Sequence, residues 1–268
     1  MHIYYSCLCQ IGNDLSESLD QMIASGADNI ELMLDGDCWN EFENHSGELL
    51  RQISRKGIDY SVHSPVWDMN LTSENAQARQ AALDAYENSI VFASLIGAKH
   101  VVLHPGFCYA SVFDKLVARQ RAEQAIASLC EFNKKYGMLL LVENVGSKAT
   151  SIFTQNEYID FIESFEGKIG SLLDIGHAHL CCWDLPQLIS RLKKQIFAVH
   201  LHDNDGNSDS HLPLERGNVD WESIFKSLLE CDSTLKLILE YDIGTPLAEL
   251  RRGKEILTEI FQPNALTS

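Results

Sequence analysis

The sequence predicts a single (β/α)8 barrel, an eight-stranded parallel α/β barrel, and three observations support this prediction. Short apolar segments alternate with longer amphipathic segments from one end of the chain to the other. The 268 residues suit one barrel domain over 1–268, because such barrels typically have about 250 residues. Six of the apolar segments have His, Asp or Glu at their last position or one residue before it, which is expected where strand ends meet at the rim that holds the active site.

The predicted strands are short, continuous apolar runs, as is typical of strands buried on both faces of a parallel sheet. They are His2–Cys7, Asn29–Met33, Asp59–His63, His100–His104, Met138–Glu143, Gly170–Asp174, Ile196–Leu201 and Lys236–Glu240. The segment after the first strand, Cys7–Gly12, is not a Gly-rich phosphate loop of the kind that follows the first strand of an open doubly wound sheet. The closed barrel is therefore favoured over the open sheet.

The predicted helices place small or apolar residues three and four positions apart, as on the buried face of an amphipathic helix. They are Leu15–Ser25, Ser46–Lys56, Glu74–Ile96, Asp114–Tyr136, Gln155–Phe165, Leu185–Lys194, Trp221–Glu230 and Pro246–Phe261. Glycine often follows a helix, as at Gly97 and Gly137. The only long predicted loop is roughly His202–Val219, and loops of this length in a compact domain are usually functional.

Composition narrows the classes of function. The formal net charge of -17 makes nucleic acid an unlikely partner, because affinity for phosphate backbones comes largely from Lys and Arg. The 8 cysteines form no C-x-x-C motif, which favours reduced thiols over a disulfide framework or a zinc ribbon. The N-terminal segment lacks a signal-peptide pattern, and no apolar run is long enough to span a membrane. We therefore expect a cytoplasmic protein with no membrane partner.

Carboxylates and one imidazole at strand ends predict a metal site. Glu143, Asp174 and Glu240 would converge at one rim, and buried like charges are costly unless a cation compensates them. The strand ends supply no Lys or Arg there, so a divalent cation is the simplest source of positive charge. With His200, these residues form a four-residue ligand set that suits Mn²⁺, Mg²⁺ or Co²⁺ and also accepts Zn²⁺.

Five further residues are candidates for additional metal ligands, which would bring the total to roughly one to three ions. They are His63, His104, His177, Asp209 and His211. Alternatively, they could contact the substrate or orient the ligands. Five histidines are assigned instead to hydrogen-bonded core or loop roles: His2, His45, His100, His179 and His202.

Taken together, these segments resemble the xylose-isomerase-like TIM-barrel superfamily. That superfamily holds sugar and sugar-phosphate isomerases and epimerases, and also abasic-site nucleases of the endonuclease IV type. The resemblance covers nearly the whole chain. Its segments are His63–Asn70, Val102–Gly106, Leu141–Gly146, Leu173–Ala178, His200–Asp203, Asp209–Leu214, Gly217–Trp221 and Leu239–Tyr241.

For the isomerase branch, the resemblance implies that Glu143, Asp174, His200 and Glu240 bind the metal. It also implies that Glu143 and Glu240 move protons next to the carbonyl of a sugar, sugar phosphate or polyol-derived ketone, through an enediolate. The expected partner is thus a small-molecule sugar. The protein could also form a homo-oligomer. The expected substrate contacts are His63, Trp67, His104, His177 and Arg216. Arg216 would take the place of an arginine that the ketose epimerases have, but it could equally be a surface charge.

For the nuclease branch, the resemblance implies that all nine candidate positions bind a three-zinc cluster that cleaves a phosphodiester. This chain keeps each of those residue types. However, the chain is acidic, and the loops Gln10–Ser16 and Leu34–Ser46 contain no Lys or Arg to hold a DNA backbone. The isomerase or epimerase is therefore the preferred hypothesis, and a multi-zinc phosphoesterase or abasic-site endonuclease is the first alternative. A non-catalytic protein that binds a metal or a sugar is a third possibility.

Overall fold

Eight parallel strands close into one barrel in sequence order, from β1 to β8, and β8 pairs with β1. The computed structural model describes residues 1–36, 39, 42–54 and 57–261, except for the side chains of 42–46. Every pairing between neighbouring strands is parallel. The predicted (β/α)8 TIM barrel is confirmed.

The strands lie close to the predicted positions, with differences of up to two residues at their ends. They are β1 (His2–Ser6), β2 (Asn29–Met33), β3 (Asp59–His63), β4 (Val101–Leu103), β5 (Leu140–Glu143), β6 (Gly170–Asp174), β7 (Ile196–Leu201) and β8 (Lys236–Leu239). His104 and Glu240 therefore stand directly after their strands, while His63, Glu143 and Asp174 are the last residues of theirs.

The helices pack around the outside of the barrel. They are α1 (Leu15–Ala24), α2 (Phe42–Ser54), α3 (Ala76–Ile96), α4 (Lys115–Asn133), α5 (Gln155–Ser164), α6 (Ile175–Leu180), α7 (Leu185–Leu192), α8 (Trp221–Leu228) and α9 (Leu247–Phe261). The predicted second helix, Ser46–Lys56, begins earlier, and its last two residues lie outside the described residues. A 3-10 turn at Cys7–Gln10 and the short helix α6 were not predicted, because neither is long enough to show a helical period.

Side-chain caps explain where several helices begin. Thr154 and Glu157 form a reciprocal capping box at the start of α5, so that two otherwise unpaired backbone donors are satisfied. Asn75 accepts hydrogen bonds from two backbone amides at the start of α3, and Gly97 ends the same helix with φ 66°.

The barrel interior is filled by side chains. A cluster of six buried residues occupies it, and a larger apolar cluster lies between the strands and the helices. The six are Tyr4, Val102, Leu141, Leu172, Ala198 and Ile238. Because the interior is packed, a ligand can enter only at the ends of the strands.

The long loop between β7 and α8 folds back on itself. Asp203 and Leu212 exchange backbone hydrogen bonds of 2.7 and 2.8 Å as an isolated antiparallel bridge. The carboxylate of Asp203 also accepts hydrogen bonds from the indole of Trp221 at 2.8 Å and the amide of Val219 at 3.1 Å. Asp203 therefore links the start of the loop to its middle and to its end.

Two further properties concern the described part of the chain. None of its helices is both long enough and apolar enough to cross a membrane. Its seven cysteines are free thiols, and Cys38 lies outside the described residues.

Candidate metal centre

The six residues predicted at strand ends meet at the C-terminal rim of the barrel. Their side chains are buried, with residue exposures from 0% to 7%. They are His63, His104, Glu143, Asp174, His200 and Glu240. Burial of three carboxylates at one point requires a compensating positive charge.

Glu143 stands at the centre of this group. Its Oε2 lies 3.2 Å from Nε2 of His63 and 3.1 Å from Nε2 of His104. Its Oε1 lies 3.2 Å from Nδ1 of His177 and 3.5 Å from Nδ1 of His200. One carboxylate therefore joins a His63/His104 group to the four-residue set.

The four-residue set is gathered around His200. Nδ1 of His200 lies 3.2 Å from Oε2 of Glu240, 3.5 Å from Oε1 of Glu143 and 3.6 Å from Oδ2 of Asp174. All four of these candidate ligands thus approach one another from strands β5 to β8, as the spacing along the sequence predicted.

A third group includes residues of the β7–α8 loop. Nε2 of His177, on α6, lies 3.0 Å from Oδ2 of Asp209, and Nε2 of His211 lies 3.4 Å from Oδ1 of the same carboxylate. The bridge between Asp203 and Leu212 turns the loop so that Asp209 and His211 return to the rim. Both loop residues therefore lie in the site.

Four of the histidines are held at one ring nitrogen, so that the other nitrogen faces the carboxylates. The acceptors are the Ser64 carbonyl for His63 (2.8 Å), the Asn144 carbonyl for His177 (3.1 Å), the Glu240 carbonyl for His211 (3.2 Å) and the Glu31 carboxylate for His200 (2.9 Å). Histidines that bind metals are usually oriented in this way.

The donor atoms fit divalent metal ions. In each of five groups of three or four residues, one donor atom per residue lies within 4.8 Å of the others. Donors around a tetrahedral zinc are roughly 3.3 Å apart, since each is about 2.0–2.1 Å from the metal. The groups are His177/His202/Asp209/His211, His63/His104/Glu143, His63/His200/Glu240, Glu143/Asp174/His200 and Asp174/His202/Glu240.

The electrostatics of the centre show strong coupling between imidazoles and carboxylates. Burial alone disfavours the charged form of His63, but Glu143 outweighs it and raises the pKa of His63 to about 9. Burial likewise opposes charge on His211, yet Asp209 and Glu240 raise its pKa to about 9. Protons therefore supply positive charge in the metal-free protein, and a divalent cation would replace them.

An open cavity of about 230 Å³ leads to this centre. Its polar lining includes Glu143, Asp209 and Glu240. Its apolar wall includes Trp67 and an aromatic pair, Phe107 and Tyr109, whose rings stack with centroids 5.3 Å apart. The cavity is large enough for a small polar molecule beside the carboxylates.

The predicted substrate contacts divide into two sets. His63, Trp67, His104 and His177 line the cavity. Arg216 does not line it, because its guanidinium pairs with Glu249 at 3.3 Å on the surface. The structure thus agrees with the surface-charge alternative for Arg216.

Two polar residues of the site, Glu31 and His202, were not predicted, whereas the buried His100 has the core position that was assigned to it. Glu31, on β2, is fully buried beneath His200 and also accepts a hydrogen bond from Ser61. His100, assigned to a core role, lies 3.6 Å from Glu31. His202, assigned to the same class, is instead in contact with the candidate ligand Asp174 at 3.0 Å. The single charged residue within the apolar run Asn29–Met33 was the signal that could have identified Glu31.

The C-terminal face of the barrel carries little positive charge. Within the described residues, the loops that follow the eight strands contain Lys148 and Arg216 as their only Lys or Arg. Both side chains lie outside the cavity lining. Helix α6 begins directly after β6, and six of the seven loops that follow the other strands contain Asp or Glu, so the face is anionic.

Fold and site together define a closed α/β barrel with a His/carboxylate centre at its C-terminal rim. Residues 19–260 match the family described as the xylose isomerase-like TIM barrel. The chain belongs to this family.

Relatives and solved structures agree with this assignment. An uncharacterized protein of Methanocaldococcus jannaschii is 28% identical over 84% of this chain and 85% of that protein. A probable endonuclease 4 of Mesomycoplasma hyopneumoniae strain 7448 is 26% identical over 71% of each chain. The crystal structure of a D-tagatose 3-epimerase-like protein superposes with a TM-score of 0.83, at 22% identity and full coverage of both chains. The last similarity concerns the fold.

Proposed function

We propose that this protein is a divalent-metal-dependent isomerase or epimerase that moves a proton next to the carbonyl of a sugar. The observation that carries the proposal is the position of two buried glutamates. Glu143 and Glu240 line the same cavity, and both reach Nδ1 of His200, at 3.5 and 3.2 Å. Two carboxylates at one small cavity can act as base and acid on one substrate carbon.

The reaction needs both proton transfer and charge stabilisation. A divalent cation, when bound by Glu143, Asp174, His200 and Glu240, supplies positive charge that offsets the negative charge developing on the sugar oxygens. One of the two, Glu143 or Glu240, removes the proton as a carboxylate, and the other, in its carboxylic acid form, gives a proton back to the carbon. Trp67 and the Phe107–Tyr109 pair provide apolar surface against which a sugar ring can stack while water is excluded.

The charge of the catalytic face supports an uncharged sugar as the substrate rather than a sugar phosphate. A phosphate group is usually bound by Lys, Arg or a row of backbone amides. The described cavity lining contains neither Lys nor Arg, and the surrounding loops are acidic. A free sugar hydroxyl, by contrast, needs only hydrogen-bonding partners.

Exchange of the α-proton in D₂O tests the proposal whichever sugar is formed as the product. A panel of free ketoses and aldoses is incubated with the metal-loaded protein, and deuterium incorporation is followed by NMR. We expect exchange with at least one free sugar and its loss in Glu143→Gln and Glu240→Gln. Glu123→Gln, an exposed carboxylate on α4, is the matched control. Wild-type exchange in a folded Glu143→Gln protein would refute the assigned role.

One observation favours a second candidate, phosphodiester hydrolysis of the endonuclease IV type. All nine residues implied by that resemblance fall within the five donor groups of the site. Incision of abasic duplex DNA that disappears in His63→Ala and His211→Ala, but persists in His179→Ala, would establish it. The scarcity of Lys and Arg on the catalytic face makes this the weaker candidate.

A further inference from the structure

Phe107 stands between two cavities at the C-terminal rim of the barrel. Together with Tyr109 it lines both the cavity of the candidate metal centre, of about 230 Å³, and a neighbouring cavity of about 300 Å³. Its half-buried ring packs edge-on against His104, with ring centroids 5.8 Å apart, and stacks on Tyr109. The two aromatic side chains therefore form a wall that limits how far a ligand can extend from the carboxylates.

The side chain of Asn70, in the loop that follows β3, holds the backbone of Phe107. Oδ1 of Asn70 accepts a hydrogen bond from the Phe107 amide at 3.0 Å, and Nδ2 donates one to the Phe107 carbonyl at 3.1 Å. The hydroxyl of Thr72 donates to the same carbonyl at 2.8 Å. One carboxamide thus satisfies both backbone groups of Phe107, as a neighbouring strand would, and fixes the direction of its side chain.

Glycine at position 106 makes this pairing possible. A Cβ at Gly106 would lie 2.5 Å from Oγ1 of Thr72 and 2.9 Å from Oδ1 of Asn70, which is too close for either atom. Gly106 also has φ 124°, a conformation that residues with a Cβ rarely adopt. The close approach of Asn70 to Phe107 is therefore specified from both loops.

The opposite edge of the same segment is held as well. Phe107 and Ser151 form an isolated antiparallel bridge, and the amide of Cys108 donates to the carbonyl of Thr150 at 2.9 Å. Farther along the loop, by contrast, Val112 is 82% exposed. The constraints are thus concentrated at the residue that faces the cavity and are not spread over the whole loop.

We infer that Asn70 is a positioning residue that fixes Phe107 as the outer wall of the substrate cavity, and that this wall restricts the substrate to a single sugar unit. The inference rests on the proposed function and names its substrate class, which is free monosaccharides rather than oligosaccharides. The cavity of about 230 Å³ is smaller than the roughly 300–1,000 Å³ of pockets that hold drug-sized ligands. A second sugar unit would need space that lies beyond Phe107.

The size of the accepted sugar tests the wall. α-Proton exchange in D₂O is measured with the metal-loaded protein, for ketoses and aldoses of one unit and for ketose disaccharides such as lactulose. We expect the wild type to exchange single sugars only, and Phe107→Ala to raise the rate for disaccharides relative to single sugars by at least several-fold. Equal wild-type rates for a disaccharide and for the ketose that it contains would overturn the size limit, as would an unchanged preference in Phe107→Ala.

Variant kinetics separate a positioning role from a structural one. Stacking on Phe107 stabilises the bound substrate and the transition state alike, so Asn70→Ala should raise KM several-fold with little change in kcat. The same substitution in a Phe107→Ala protein should have no further effect on KM, because Asn70 acts through Phe107. Additive effects of the two substitutions would show that Asn70 acts by another route and that the inference is wrong.

Asn133→Ala is the matched control. The carboxamide of Asn133 pairs in the same way with the backbone of Met138, at 2.7 and 3.0 Å, but does so just before β5 begins, at the opposite end of the barrel. Its loss should lower stability and leave KM unchanged. A rise in KM as large as that of Asn70→Ala would mean that general loosening of the barrel, rather than the position of Phe107, explains the effect.

Fluorine NMR reports the position of Phe107 without any turnover. The protein is labelled with 4-fluorophenylalanine, and the Phe107 resonance is identified by its loss in Phe107→Leu. We expect Asn70→Ala to shift or broaden this resonance and Asn133→Ala to leave it in place. An unchanged resonance in Asn70→Ala would disprove the positioning role. If Asn70→Ala does not fold, Asn70→Asp keeps the acceptor, removes the donor and should still shift the resonance.

The two kinds of readout separate this inference from the proposed function. If the wild type exchanges the α-proton of no sugar, the proposed function fails and the size limit fails with it. The fluorine resonance still decides whether Asn70 positions Phe107.

Discussion

Oε1 of Glu31 lies 2.9 Å from Nε2 of His200, and both residues are completely buried. The contact joins β2 to β7 across the interior of the barrel, just below the candidate metal centre. Because Nε2 is engaged by Glu31, Nδ1 is the nitrogen that faces Glu143, Asp174 and Glu240. Glu31 therefore fixes the tautomer and direction of a candidate ligand without itself reaching the cavity.

Replacement of Glu31 by Gln should weaken metal binding. The amide is similar in size but carries no charge, so His200 becomes a poorer and less well-oriented ligand. We expect a loss of roughly 10- to 100-fold in affinity at the four-residue set, measured by competition with a chromophoric chelator. Ser61→Ala removes only the hydroxyl that donates to Glu31 and is the control, with a much smaller expected effect. Equal affinities in wild type and Glu31→Gln would contradict this role.

Metal affinity should increase with pH. In the metal-free protein, neighbouring carboxylates raise the pKa of His63 and of His211 to about 9 against the opposing effect of burial. Near neutral pH the metal-free form therefore holds protons that a metal must displace. Affinity should increase as the pH rises from 7 towards 9 and level off above it. Calorimetry in buffers of different ionisation enthalpy should show proton release, and a pH-independent affinity would contradict the assignment.

Gly176→Ala should disturb the site through His202. The added methyl group would overlap the imidazole, and forced overpacking typically costs about 1–3 kcal/mol. Gly47→Ala is the control, because no atom lies within 4 Å of a Cβ at Gly47 in helix α2. There the change should be neutral or stabilising by up to about 1 kcal/mol. Urea unfolding of both metal-free variants measures the difference, and equal stabilities would show that the ring moves aside freely.

Asp203→Ala should destabilise the β7–α8 loop. Its buried carboxylate accepts from the amides of Asn204 and Val219 and from the indole of Trp221. Removing the acceptor leaves buried donors unpaired, at about 1–3 kcal/mol for each group that water cannot reach. We expect a total loss of about 3 kcal/mol in unfolding free energy.

The control for that experiment is Asp205→Ala, in the same loop. Asp205 is exposed and accepts only from nearby loop amides, so its removal should cost less than about 1 kcal/mol. If both substitutions have the same small effect, the buried network around Asp203 does not stabilise the loop.

The barrel and most of the site could be predicted because their signals are local. Buried strands appear as short apolar runs, and a ligand such as Glu143 or Asp174 stands at the end of its own run. Parallel topology then brings those ends together. The order of the strands alone was enough to predict that Glu143, Asp174, His200 and Glu240 lie close together.

The rest of the site depends on contacts between distant parts of the chain. Glu31 lies in the interior of a strand, and its role appears only when β2 and β7 face each other across the barrel. His202 and Arg216 belong to one loop, yet one points into the site and the other to the surface. That difference comes from the bridge between Asp203 and Leu212 and from the Arg216–Glu249 pair, neither of which leaves a periodic pattern in the sequence.

The anionic C-terminal face of the barrel also has a kinetic consequence. Loops rich in Asp and Glu around a recessed, low-dielectric opening concentrate cations from solution and focus their approach. A divalent ion would thus be drawn towards Glu143 and Glu240 before it touches any ligand, and capture would be fastest at low ionic strength. The rim would act as an electrostatic funnel for metal acquisition while it turns anionic metabolites away.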